Sequence, residues 1–196
     1  MSEGDRGARA PARRRPRPLP GGGRARGADA PRGEGTCEES PASGAGGFSL
    51  RPIGFVRSPV TEPVDDGWGA VESKIALEPE YRAGLRGLGE FSHVVVVALL
   101  HGARFDPARH LVRRPRGLAE MPELGIFAQR AKDRPNPLGI TVVPLLAVEP
   151  DGISVRGLDA IDGTPVLDLK PYFPEFDSAR DAVVPGWVER LMRGYF

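Results

Sequence analysis

Apolar residues recur along this chain in short bursts, not in long helical stripes. Ile140 to Val148 and Ile153 to Leu158 flank Glu149-Pro150-Asp151-Gly152. That arrangement predicts a hairpin in which proline presets the turn and glycine takes a positive-φ position. Phe91 to Leu100 (FSHVVVVALL) is apolar at successive positions, which predicts a central strand buried on both faces. Phe48 to Val56, Lys74 to Leu77, Ile126-Phe127 and Val166 to Leu169 predict further short strands. Pro79 to Leu88 predicts a short helix with Tyr81, Leu85 and Leu88 on one face. Pro185 to Arg193 predicts a closing helix with a Trp187, Val188, Leu191 and Met192 stripe. About seven short strands and brief helices point to an all-β barrel or sandwich with helical decoration. Trp68, alone in the irregular stretch Val60 to Ser73, is expected to cap the core, ahead of the alternative that it covers a ligand.

Chemistry-bearing residues concentrate where these strands end. Gln129 to Gly139 carries Gln129, Arg130, Arg134 and Asn136 between an apolar pair and a long strand, and Pro135 and Pro137 stiffen it. His101-Gly102 follows the most hydrophobic strand, and Asp159 to Pro165 forms a third tight polar turn. Convergence of the three corners would make a pocket with a rigid base and both signs of charge. The opposing reading, a solvated surface turn, is the commoner fate of charged loops. Other chemistries lose ground by absence: there is no G-x-G-x-x-G after a strand, no H-E-x-x-H, no G-x-S-x-G and no phosphate-binding loop. No metal site is expected.

Composition separates a tail from a core. Residues 1–47 are Gly, Pro, Arg, Ala and Ser with almost no large apolar residue, a composition expected to stay disordered. Its arginines suggest a transit peptide, but Glu3 and Asp5 come early and prolines interrupt any amphipathic helix, so an unstructured extension or a misplaced start codon is the expected account. The tail holds 9 Arg against 6 acids, leaving 18 basic and 20 acidic residues in 48–196. Any nucleic-acid contact must therefore rest on a local patch. Arg104, Arg109, Arg113, Arg114 and Arg116 form one, with Asp106 its only acid. The single cysteine, Cys37, lies in the tail, so the core holds no disulfide or thiol nucleophile and a reducing, cytoplasmic setting fits. No apolar run is long enough to span a membrane.

Four ordered blocks carry a resemblance. Ile53-Gly54-x-Val56-Arg57-Ser58-Pro59 is followed by Gly87-Leu88-x-x-Phe91-Ser92-His93. Phe127-Ala128-x-Arg130 then precedes Arg134-Pro135-Asn136-Pro137-x-Gly139. The last block runs Gly157-Leu158-Asp159-x-x-Asp162-Gly163-Thr164-Pro165-Val166-x-Asp168-x-Lys170-Pro171-Tyr172. From Phe48 to Asp177 the chain resembles the TsaA/TrmO-like (YaeB-like) family. The resemblance implies a small β-barrel over 48–178 with a C-terminal helical segment, 179–196, packing on it. It also implies a homodimer and S-adenosylmethionine-dependent methylation of the exocyclic nitrogen of threonylcarbamoyladenosine beside the tRNA anticodon.

Carried onto matching positions, cofactor contacts fall at His101, Gly102, Arg130, Ile140, Arg156, Gly157, Leu158 and Asp159. Gln129, Arg134, Pro135, Asn136, Pro137 and Gly139 form the supporting loop. A cation such as Arg130 suits the cofactor carboxylate, and Asp159 or Asp162 suits its amine and ribose hydroxyls. Asp162 or Tyr172, with Lys170 nearby, is expected to assist loss of the acceptor proton. One element departs from the family pattern: Val64-Asp65-Asp66-Gly67-Trp68-Gly69 replaces a Pro-Arg-Gln-Pro element. That leaves open the same cofactor acting on another RNA or a small molecule, or a non-catalytic cofactor-binding module.

Overall fold

A computed structural model describes residues 49–196; the tail expected over 1–47 lies outside the described residues. Six antiparallel strands close into a barrel in the order β1-β2-β7-β6-β3-β8. They are β1 (Gly54–Arg57), β2 (Glu72–Leu77), β3 (His93–Leu99), β6 (Leu138–Glu149), β7 (Gly152–Arg156) and β8 (Pro165–Pro171). A separate ribbon pairs β4 (Val112–Arg113) with β5 (Leu124–Gly125). The all-β barrel with short decorating helices is therefore the fold. The short helices are α1 (Pro107–His110), α2 (Pro174–Asp177) and α3 (Gly186–Leu191).

Val56, Ile75, Val94, Val96, Val143, Ile153, Val155 and Val166 fill the lumen, all nearly inaccessible. β-branched side chains suit that role because they pack well on a pleated wall. Both openings are plugged from within. Leu85 and Leu88 close the lower end, near the Glu149–Gly152 hairpin, and Leu158 and Ala160 close the upper end, where β7 leads toward β8.

Several boundaries differ from the sequence reading. The first strand begins only at Gly54, after Pro52, which has no N–H to give a ladder. Pro79 to Leu88 forms two 3-10 turns, Pro79–Leu85 and Leu88–Glu90, broken where Gly87 adopts φ 85°. Ile126–Ala128 is a 3-10 turn, not a strand, and the pairing falls two residues earlier at Leu124–Gly125. The hairpin is present, yet Gly152 is extended within β7 and serves close approach instead: a Cβ there would stand 2.0 Å from the Ile75 carbonyl oxygen.

β3 is buried on its inward face through Val94, Val96 and Ala98. Its outward face continues onto exposed Leu138, Ile140 and Val142 of β6, so double burial is only partly met. Trp68 is buried, as expected. Among the described residues no helix is long and apolar enough to cross a membrane. None of their His, Cys, Asp and Glu side chains group in threes in a way that could hold a metal ion.

Candidate functional site

The long strand β6 is paired with β3 along its first half, from Leu138 to Pro144. With β7 it pairs only from Leu145 onward, after which β7 turns away at Gly157 (φ 79°). The backbone edge of Leu138–Pro144 that faces β7 is therefore uncovered by any strand. Unpaired backbone donors and acceptors at a strand edge are ready partners for an added group. Two of the three corners singled out in the sequence, the proline loop and the Asp159 turn, touch this stretch of β6.

Arg130 reaches it from the proline loop, its guanidinium donating to the Ile140 carbonyl. Asp159 reaches the same stretch from the segment after β7. It lies between the core residues Leu158 and Ala160, and one of its oxygens accepts from the hydroxyl of Thr141, which shares the inward face of β6 with Val143. Arg130 and Asp159 are thus held against consecutive residues of one strand. His101 and Gly102 lie just past the end of β3, exposed, and are tied to the loop by Leu100 N–H donating to Pro137 C=O at 2.7 Å. The His101 corner is thus linked to the proline loop, on the edge of β6 that β3 covers.

The loop is stiff because its polar residues brace one another. Gln129 is buried and donates to the carbonyls of Arg113 and Leu124, both at 2.8 Å, stapling the β4–β5 ribbon. Arg134 donates to the Gln129 carbonyl, and the Asn136 carbonyl accepts from the Leu138 N–H. Asp133 accepts from the Arg104 N–H at 2.9 Å and faces the Arg113 guanidinium at 3.7 Å. Pro135, Pro137 and Gly139 complete the turn into β6, Gly139 lying against Leu100.

Other candidates land elsewhere. Arg156 is paired with Glu72 at 2.9 Å, so only its backbone is free to face the edge. Gly157 and Leu158 are buried, which leaves them main-chain contacts as well. Asp162 belongs to the same upper end, where one carboxylate oxygen accepts from the Ser58 N–H at 3.1 Å. Lys170 and Tyr172 are not brought to this corner within one chain. Lys170 points outward from the wall in an ion pair with Asp168 at 2.6 Å, and hydrogen bonds from that pairing raise its pKa. Tyr172 follows β8 beside His93, at the opposite end of β3 from His101 and roughly 26 Å of extended chain away.

The basic patch divides too. Arg114 donates to the Met121 carbonyl and Arg113 faces Asp133, so these two are engaged by the protein's own groups. Arg104 and Arg109 are exposed, and Arg116 packs over the Tyr195 ring, 5.4 Å from its centroid.

Tyr195 is the residue that sequence reasoning missed. Its hydroxyl donates to the second oxygen of Asp159 at 2.9 Å. Burial first, and then the charge of Asp159, push its pKa well above the usual phenol value, so it stays a donor. It is held there by two backbone bonds, Gly67 N–H to Gly194 C=O at 3.0 Å and Trp68 N–H to Tyr195 C=O at 2.9 Å. Nothing local in Gly194-Tyr195-Phe196 announces a contact with residues some 35 and 125 positions earlier.

The residues present suit S-adenosylmethionine by the chemistry of their donors and acceptors. Arg130 offers a cation for a carboxylate, and Asp159 offers an acceptor for an ammonium or ribose hydroxyl. The bare β6 edge offers backbone partners for a base.

The model of the tRNA-methyltransferase O N-terminal domain matches residues 61–178. A probable S-adenosyl-L-methionine-binding protein from Pyrococcus abyssi is 39% identical over 150 residues, covering 71% of this chain and 76% of that one. The human tRNA (adenine(37)-N6)-methyltransferase is 31% identical over 156 residues, 74% of this chain and 34% of the human protein. A crystal structure of TrmO from Pseudomonas aeruginosa superposes with a TM-score of 0.60 at 32% identity, over 74% of this chain and 63% of that one. The chain thus spans most of the archaeal relative but only about a third of the human one.

Proposed function

The chain belongs to the tRNA-methyltransferase O N-terminal-domain family. On that premise we propose that it transfers a methyl group from S-adenosylmethionine to the exocyclic nitrogen of threonylcarbamoyladenosine beside the tRNA anticodon. The observation that carries this reading is the placement of Arg130 and Asp159 against consecutive residues, Ile140 and Thr141, of one uncovered strand edge.

The cofactor, once bound, supplies a methyl group on a positively charged sulfur that leaves as a neutral thioether. Little acid–base machinery is then needed, and alignment carries most of the rate. Arg130 anchors a carboxylate and Asp159 fixes amine or hydroxyl donors. The stiff loop between Gln129 and Gly139 keeps the guanidinium at one height. The acceptor nitrogen must lose a proton, and Asp162, at the same end of the barrel, is the residue to which this reading gives that proton. Lys170 and Tyr172 could take part only from a second copy.

A homodimer belongs to the same proposal. Leu138, Ile140 and Val142 are exposed on the outer face of β6 beside Val95 and Val97, an apolar wall that a second copy would cover next to Arg130. Substrate RNA would approach over exposed Arg104 and Arg109. The setting proposed for this reaction is cytoplasmic.

A second reading keeps the cofactor and changes the acceptor. Its support is that Gly67 and Trp68, which stand in the replaced Pro-Arg-Gln-Pro segment, are bonded to Gly194 and Tyr195. One experiment separates the two: mass spectrometry of tRNA nucleosides from a strain lacking the gene, with and without the purified protein and S-adenosylmethionine. Loss of methylated threonylcarbamoyladenosine and its restoration in vitro supports the first reading. An unchanged nucleoside profile, with cofactor still bound, supports the second.

A further inference from the structure

The geometry points to Tyr195 as a positioning residue for the cofactor: residues 194–196 form a clasp with Gly67–Gly69 that holds the Asp159 carboxylate at the strand edge. The inference rests on the reading that Asp159 receives the cofactor, and adds a residue outside the family's matched blocks.

Three observations carry it. Asp159 is gripped at both oxygens by hydroxyl donors from distant parts of the chain, Thr141 on one and Tyr195 on the other. Each oxygen keeps a second lone pair, so a carboxylate oriented this way still accepts from a ligand. Gly69 is the close-approach point of the clasp, since a Cβ there would meet the Phe196 carbonyl carbon at 2.5 Å. Glycine lets the two backbones touch. Arg116, finally, is the only non-glycine described residue with positive φ (51°), and its guanidinium lies over the Tyr195 ring. A strained backbone that delivers a cation to an aromatic face restrains that ring.

A pre-oriented carboxylate loses less freedom when a ligand arrives, so the Tyr195 hydroxyl strengthens binding without touching the reacting atoms. The effect belongs in the Michaelis constant for S-adenosylmethionine and leaves turnover alone.

The test compares Tyr195→Phe, Gly69→Ala and Asp159→Asn with the wild type in the full chain. S-adenosylmethionine affinity is read by calorimetry, fold by the melting temperature without ligand, and KM against kcat wherever turnover is measurable. Tyr195→Phe removes one oxygen and keeps the ring under Arg116. It should weaken binding about three- to tenfold with kcat within about twofold. Gly69→Ala forces a methyl into the Phe196 backbone and should weaken binding similarly while Asp159 itself is intact, which keeps the inference testable if Tyr195→Phe folds poorly. Should Asp159→Asn weaken binding while both clasp variants bind like wild type, the clasp is overturned and the site stands. Should Asp159→Asn also bind like wild type, the site reading fails and the clasp with it.

Discussion

Two clusters of charge on this barrel look alike in the sequence and behave differently in space. Around the β6–β7 hairpin, Lys74 lies 2.7 Å from Glu149 and 2.9 Å from Asp151, and Ser154 donates to the other oxygen of Glu149. The hydrogen bond from Lys74 is the leading cause that holds both carboxyls below their usual range and, reciprocally, raises Lys74. Its members answer one another, which makes the cluster a surface brace. At the upper end Arg130 faces a backbone carbonyl, not an acid, and Asp159 is met by hydroxyls, not a cation. Opposite charges stand on one strand edge without neutralising each other. A charge left without its counter-ion while its geometry is fixed is what a zwitterionic ligand requires.

The largest effect that would break this contrast is expected at Arg130. Arg130→Ala removes a cation from an exposed corner that other contacts hold in shape. S-adenosylmethionine affinity measured by calorimetry should fall about 10- to 100-fold, in line with loss of charged hydrogen bonds. The unliganded melting temperature should hardly move. Unchanged affinity would place the upper cluster in the same class as the hairpin brace.

A smaller effect sharpens the division within the basic patch. Arg104→Ala and Arg109→Ala should each weaken tRNA binding and reduce the slope of log affinity against log salt by about one, measured by filter binding. Arg114→Ala, which strips a partner from the Met121 carbonyl, should instead lower the melting temperature. Equal salt slopes in all three variants and the wild type would mean that RNA does not cross this patch.

The smallest effect is at the hairpin, and its sign follows from the shifts. A carboxyl held low in the folded chain contributes stability that is present above its unfolded pKa and lost as pH falls through the folded one. For Glu149 and Asp151 that loss begins beneath 4.5 and 3.8. Lys74 works in reverse: its contribution is present below 10.5 and lost as pH rises through its elevated folded value. Lys74→Met should therefore flatten the drop in melting temperature between about pH 5 and pH 3. Cofactor affinity at neutral pH should stay as in the wild type, and an acid limb as steep as the wild type's would remove the brace from the account.

Much of the barrel was legible because its signals are local. The Pro-Asp-Gly hairpin, the valine run of β3 and the stiff proline loop each declare themselves within a dozen residues. That His101, the Arg130 loop and Asp159 each adjoin a strong strand was legible, whereas the meeting of Arg130 and Asp159 at Ile140 and Thr141 shows only in the fold. What stayed hidden depends on closure. Lys170 and Tyr172 share a sequence block with Asp159 and Asp162, but β8 runs away from the upper end and carries them down the wall. Adjacency in a motif is not adjacency in space once a strand intervenes. Tyr195 was hidden for the opposite reason, because only the folded chain brings the last residues beneath Trp68 and Asp159. The helix α1 escaped notice although Asp106-Pro107 is a plain start signal, with Asp106 capping the Ala108 N–H at 3.0 Å.

The central claim is that the bare edge of β6, not the hairpin, receives S-adenosylmethionine, and backbone amide exchange with and without the cofactor tests it most directly. The account predicts slowed exchange at Ile140–Thr141, at Leu158–Asp159 and at Gly102, with Gly152 to Val155 unchanged. Protection confined to the hairpin or to the Pro174–Arg180 surface, with none at Thr141 or Asp159, would contradict it.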